Sequence, residues 1–125
     1  LKAFTSELED VLIKLINKPH IAGFTLLGGE PFEEENRDDI LELLKHIKKE
    51  CPTKSIWVYS SFLYEEIMEW KQPLLDYVDV LVDGPFVNEL KDANLKFRGS
   101  SNQRIIDIKK TKENKNITLV EFKEI

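Results

Sequence analysis

Residues 21–31 read Ile21-Ala22-Gly23-Phe24-Thr25-Leu26-Leu27-Gly28-Gly29-Glu30-Pro31. An apolar run stops at two glycines, and a carboxylate and a proline follow. A strongly helical pattern begins near Asn36. Such a run predicts a buried strand that feeds a tight turn. Glycine there reaches backbone angles closed to other residues and lets a ligand approach main-chain atoms. In open α/β folds, ligands sit beyond the carboxyl ends of strands, where such turns fall. A β-turn without a ligand would use the same residues, so the octapeptide Phe24–Pro31 leaves both readings open.

Upstream, Ser6 and Glu9 have capping-box spacing, and Leu8, Val11, Leu12, Leu15 and Ile16 recur at helical intervals. A helix from about Ser6 to Asn17 is predicted, ended by Pro19. His20 opens the first strand as a surface residue. Residues 21–27 are apolar at nearly every position, which predicts a parallel strand covered on both faces. Downstream, Glu33-Glu34-Glu35 complements the positive end of a helix dipole. Asn36 is the expected N-cap. Ile40, Leu43, Leu44 and Ile47 make one apolar stripe, ending before Cys51-Pro52, with His46 beside it.

Ser55–Ser60 is a second strand, rich in β-branched and aromatic residues. A short helix from Leu63 to Trp70 follows, then a third strand over Val78–Asp83 that ends in Asp83-Gly84-Pro85. The order αβαβαβ predicts a parallel sheet with right-handed crossovers. By the strand-end rule, Gly28-Gly29-Glu30, Ser60-Ser61 and Asp83-Gly84 should line one ligand edge.

The remainder changes character. Glu89–Asn94 has room for one helical turn. Phe97-Arg98-Gly99-Ser100-Ser101-Asn102-Gln103-Arg104 is dense in hydrogen-bonding side chains, as a functional loop or an ordinary polar loop would be. Ile105–Ile108 predicts a short strand, Lys109–Asn116 a charged turn, and Ile117–Phe122 a final strand returning as a hairpin.

The 125 residues suit one domain, and 42% hydrophobic with 33% charged residues suits a globular one. A net charge of −5 argues against a nucleic-acid partner, because there is no basic excess to displace counterions. No apolar run approaches the ~20 residues of a membrane helix. The single cysteine, Cys51, cannot form an internal disulfide, which points to the cytoplasm. The chain opens at Leu1 and enters a helical pattern at once, which reads as an excerpt of a longer protein.

Three segments together carry a resemblance: FTLLGGEP (24–31), VDVLVDGPF with the following ELKD (78–92), and FRGSSNQRIID (97–107). The chain resembles the activating protein of the anaerobic ribonucleotide reductase, a short radical S-adenosylmethionine (SAM) enzyme. GGEP alone would indicate only the wider superfamily; RGSSNQR is more specific. The resemblance implies an α/β fold, a partial open radical SAM-type β/α barrel of mainly parallel strands, here with a small C-terminal β extension, in a single domain over residues 1–125. It implies a [4Fe-4S] cluster on a CxxxCxxC motif and a SAM whose reductive cleavage yields a 5′-deoxyadenosyl radical. That radical would take a hydrogen from a glycine of the reductase. Implied partners are the reductase's catalytic subunit and an electron donor such as flavodoxin or ferredoxin, with no nucleic acid and no membrane.

Carried over by resemblance, Gly28, Gly29 and Glu30 form the turn that holds the methionine amino group. Ser60 and Asp83 fall at the neighbouring strand ends as further cofactor-binding residues. Arg98, Ser100, Ser101, Asn102 and Gln103 would shape the site or dock the reductase. Two departures stand out. Where the family commonly shows Thr-Gly-Tyr, this chain has Ser60-Ser61-Phe62. No CxxxCxxC occurs, so this stretch alone is expected to lack the cluster and to be inactive, as a fragment without its N-terminal segment. The alternatives are another short radical SAM enzyme, such as pyruvate formate-lyase activase, or a non-catalytic module that binds SAM, a nucleotide or a protein.

Overall fold

The structure, a computed structural model, describes residues 6–27 and 30–121. Helix α1 (Ser6–Ile16) leads to strand β1 (Gly23–Leu26), helix α2 (Arg37–Glu50) and strand β2 (Ser55–Ser60). Helix α3 (Tyr64–Ile67), strand β3 (Val80–Asp83), strand β4 (Arg104–Asp107) and helix α4 (Ile108–Asn114) complete the order. The sheet runs β1-β2-β3-β4. β1, β2 and β3 are mutually parallel, with Leu26 opposite Val58 and Ser60 opposite Asp83. β4 returns antiparallel to β3 and sets Arg104 opposite Asp83.

The alternation of β2 decides where the core lies. Ile56, Val58 and Ser60 are buried while Ser55, Trp57 and Tyr59 are half-buried. Ile56 and Val58 join Leu26, Leu81 and Ile106 from the other strands, and Ile40, Leu43, Leu44 and Ile47 of α2 pack on them. The α2 stripe predicted by its spacing is therefore the helix's buried face. Each such side chain, fully buried, contributes about 1.5–3 kcal/mol. Ile13 and Ile16 add one edge of α1 to the same core. On the opposite face a smaller cluster gathers Val80, Val82 and Ile105 with Trp57, Tyr59 and Val120. No residue of the four described helices belongs to it.

β1 thus differs from expectation. Among the described residues it is an edge strand covered on one face: Phe24 and Leu26 turn to the helices, whereas Thr25 and Leu27 are exposed, Leu27 at 63%. A Cβ on Gly23 would stand 2.2 Å from the carbonyl oxygen of Ser55, so only glycine lets β1 lie this close to β2 here.

Other expectations need correction. Lys109–Asn116 is mostly helix α4, started by Asp107, whose Oδ1 accepts from the Lys110 amide at 2.9 Å. Residues 117–121 form no strand; one antiparallel bridge joins Leu119 to Ile106, so the C-terminal β extension reduces to β4 and this bridge. Phe122 lies outside the described residues. The predicted helix over Leu63–Trp70 is a single turn, α3, and the turn expected within Glu89–Asn94 is a 3-10 turn at Asn88–Leu90. Asn36 precedes α2, but its side chain is buried and makes no capping bond. Glu9 reaches His46 Nδ1 at 3.5 Å.

Candidate functional site

Because β1, β2 and β3 are parallel neighbours, their carboxyl ends fall on one edge of the sheet. Gly28 and Gly29 lie outside the described residues. Glu30, which follows them, is the hub of that edge. Its Oε1 accepts from the main-chain N–H of Ser61 (2.6 Å) and from the Ser61 hydroxyl (2.7 Å). Its Oε2 accepts from the Ser60 hydroxyl (2.9 Å) and from the Phe32 amide (2.8 Å). Four donors on one carboxylate are charge-assisted bonds, roughly twice as strong as neutral ones. They tie the turn after β1 to the end of β2. Ser60 is buried, and its oxygen also accepts from the Phe62 amide at 3.1 Å. The side chain of Ser61 takes a direct part: its hydroxyl supplies one of the Glu30 bonds.

The end of β3 is organised by a second carboxylate. Asp83 is fully buried. Its Oδ1 accepts from Arg104 Nε at 3.0 Å; its Oδ2 accepts from Arg104 Nη2 and from the Tyr64 amide at 2.7 Å. Arg104 Nη2 also meets Glu65 Oε1 at 2.6 Å. The hydrogen bond to Asp83 holds the guanidinium protonated well beyond its ordinary range; burial opposes this, and Glu65 adds to it. Asp83 thus joins β3, β4 and the start of α3. Its part at this edge is to fix the strand exit.

The Arg98–Gln103 segment is knitted to that exit. Gly84 sits at φ 100°, a left-handed angle that glycine tolerates, and its carbonyl accepts from Gln103 Nε2 at 3.0 Å. Asn102 Nδ2 donates to the Pro85 carbonyl at 2.8 Å, and the buried Ser100 hydroxyl accepts from the Val87 amide at 3.2 Å. Gln103 Oε1 accepts from the amides of Gly99 and Ser100. Arg98 Nη1 donates to the carbonyls of Ser101 (3.2 Å) and Gln103 (2.7 Å). Ser101 is exposed. Arg98, Ser100, Asn102 and Gln103 therefore close a loop on themselves and on residues 84–87.

On the helix-free face, an open hollow of about 250 Å³ is lined by Thr25, Ser55, Trp57, Tyr59 and Phe97, among others. Phe97 lies at φ 61°; its ring meets Trp57 at 5.2 Å, and its carbonyl accepts from the Tyr59 hydroxyl at 2.7 Å. A groove of about 600 Å³ between α3 and α4 contains none of the site residues predicted from sequence.

Among the described residues no group of His, Cys, Asp and Glu side chains could hold a metal. Cys51 is fully buried beside α1, its Sγ 3.9 Å from the Ile13 carbonyl, and burial pushes its thiol up from the ordinary value of 9.0. A cluster ligand must be a thiolate with other thiolates around it, so the residues present do not fit an iron–sulfur cluster. Arg37, whose Nε donates to the Phe32 carbonyl at 2.9 Å behind this edge, drew no notice in the sequence, and neither did the pairing of Ser61 with Glu30 or of Arg104 with Asp83. Only a fold that brings residue 30 to residue 61, and 83 to 104, reveals them.

A family model described as a 4Fe-4S single cluster domain matches residues 2–106. The anaerobic ribonucleoside-triphosphate reductase-activating protein of Escherichia coli K12 is 43% identical over 102 residues, which cover 80% of this chain and 66% of that protein. Its namesake in Vibrio cholerae is 40% identical over 104 residues, covering 82% and 67%, and that of Enterobacteria phage T4 is 36% identical over 102 residues, covering 82% and 64%. This chain belongs to the 4Fe-4S single cluster domain family and, within it, to the anaerobic ribonucleoside-triphosphate reductase-activating proteins. It spans about two thirds of the length of those relatives, 66% for the Escherichia coli protein. No solved structure gives a significant match. No helix among the described residues is long and apolar enough to cross a membrane.

Proposed function

We propose that this chain is the SAM-binding portion of a glycyl-radical activase that acts on an anaerobic ribonucleotide reductase. The observation that carries the reading is the 43% identity to an activating protein over 102 residues, which includes the residues at the strand-end edge. The consecutive parallel order of β1, β2 and β3, with helices on one face, supports a partial β/α barrel whose helix-free face is the inner one. In this reading Gly28 and Gly29 present main-chain carbonyls to the methionine ammonium. Glu30, Ser60 and Asp83 hold the three strand ends in place around the ligand. The Arg98–Gln103 loop shapes the rim, and the reductase's catalytic subunit would approach there.

The family's cluster finds no ligand set in these 125 residues, which contain one cysteine. Radical SAM chemistry, the electron donor and a cytoplasmic setting rest on the resemblance and on cysteine usage. By the same count, this stretch alone would be inactive. The test is the full-length coding sequence, reconstituted anaerobically with iron and sulfide. A reduced-cluster paramagnetic resonance spectrum that changes when SAM is added is the expected result. Absence of any cluster signal would overturn the activase reading and favour a non-catalytic module, for which the lone buried cysteine speaks.

A further inference from the structure

Behind the Glu30–Glu33 turn lies a cluster that the proposed chemistry does not use. Arg37 is the first residue of α2. A cation at a helix N-terminus is opposed by the helix dipole, and among the described residues no carboxylate lies within ion-pair distance of Arg37. Its guanidinium instead lies over the ring of Trp70, 3.4 Å from Cζ to the centroid, with Phe62 at 5.6 Å. Trp70 meets Phe62 edge-on at 4.9 Å and Phe32 at 6.1 Å. Arg37 Nε donates to the Phe32 carbonyl at 2.9 Å, while the Phe32 amide donates to Glu30 Oε2 at 2.8 Å. Phe32 is thus held at both ends, by Arg37 on one side and by Glu30 on the other. Four segments meet here: the turn after β1, the start of α2, the loop after β2, and the stretch after α3.

We propose that Arg37 is a positioning residue for the turn after β1. Its planar group, braced by Trp70 and Phe62, fixes the Phe32 carbonyl and with it the path of the chain from Glu30 to Glu33. That path sets the geometry in which Glu30 reaches Ser60 and Ser61. The inference rests on the reading of this edge as the SAM site only for its consequence on binding; the effect on the turn stands apart from it.

The experiment uses the full-length protein, Arg37→Ala and Arg37→Lys, with three readouts: SAM affinity by calorimetry, amide exchange by NMR, and melting temperature. The amides of Phe32 and Glu33 report the turn, since both donate to Glu30. In both variants, exchange at these two amides is expected to quicken about tenfold, and SAM affinity to fall by a similar factor, as the loss of one stacked, hydrogen-bonded guanidinium implies. Amides of β2 and the middle of α2 should keep their protection. Lysine keeps the charge but not the plane, so full rescue by lysine would overturn the proposal. So would unchanged turn exchange in Arg37→Ala, or an equal loss of protection throughout the core, including failure of both variants to fold. If the unaltered protein binds no SAM while turn exchange still responds to Arg37, the positioning role stands and the cofactor reading falls.

Discussion

Glu30 and Ser61 are joined twice, at 2.6 Å through the serine amide and at 2.7 Å through its hydroxyl, both on the same carboxylate oxygen. They are 31 residues apart in sequence. This pair closes the gap between the ends of β1 and β2, which the sheet's own ladder leaves at Leu26 and Val58. The acidic residue after the glycines therefore acts as a brace for main chain and need not face a ligand.

Glu30→Gln replaces an acceptor oxygen with a donor in front of donors. We expect a loss of about 1–3 kcal/mol in unfolding free energy, since a donor is left facing no acceptor. Urea denaturation measures it. A midpoint and slope equal to those of the parent would remove the brace from the account.

Asp83 has no exposed surface, and Arg104 is its charged partner. Arg104→Leu would strand a buried carboxylate at a cost of about 3–5 kcal/mol. Adding Asp83→Asn to that variant should restore a substantial part of the loss, because the amide carries no charge to desolvate. A double-mutant cycle checks this; additive losses would show that the two residues act independently.

Two glycines carry separate structural demands. Gly23→Ala forces β1 off Ser55, and Gly84→Ala places a Cβ at φ 100°. Each should lower stability by about 1–3 kcal/mol, the first through overpacking and the second through backbone strain. A methyl group on Gly84 would meet its nearest neighbours at 3.7 Å, an ordinary van der Waals contact, so only backbone strain acts there. A D-residue favours positive φ, so D-alanine at Gly84, introduced by semisynthesis, should cost less than L-alanine, and an equal penalty would contradict the strain argument.

Burial raises the thiol of Cys51 and the phenol of Tyr59 above their ordinary values. A group whose folded pKa is raised stabilises the fold fully below its unfolded pKa, and that contribution disappears as pH climbs through the folded one. Stability due to Cys51 should therefore be level below the ordinary thiol value of 9.0 and decline above it. Cys51→Ala should flatten that alkaline decline while costing stability at neutral pH. Denaturant melts from neutral to strongly alkaline pH measure both, and a parallel decline in the variant would assign the effect elsewhere.

The parallel part of the sheet was legible because helical spacing gives way to strand spacing three times up to residue 83. The α2 stripe of Ile40, Leu43, Leu44 and Ile47 is the buried face it promised. Strand direction was not legible in β4: the four residues Arg104–Asp107 are compatible with either polarity. Helix α4 escaped because its lysine-rich surface hides two buried positions, Ile108 and Thr111. β1 looked doubly covered because Leu27 is apolar, yet that residue is exposed. At the site, Glu30 was visible beside its glycines, whereas the donors that satisfy it depend on topology. The stacking of Arg37 on Trp70 joins residues far apart in the chain, with no local signal.

The stretch from Gly84 to Gln103 leaves the sheet at the carboxyl end of β3 and re-enters beside it, at Arg104, because β4 runs the other way. Its two stems are stitched together by Gln103 on Gly84 and Asn102 on Pro85. Such a stem-closed excursion is a cassette. Its tip, residues 93–96, lies outside both the stitched stems and the cross-loop contacts of Leu90, Asp92 and Phe97, so changes there leave the stems and the sheet as they are. Selection can retune what this edge meets without eroding the stability of the scaffold that presents it.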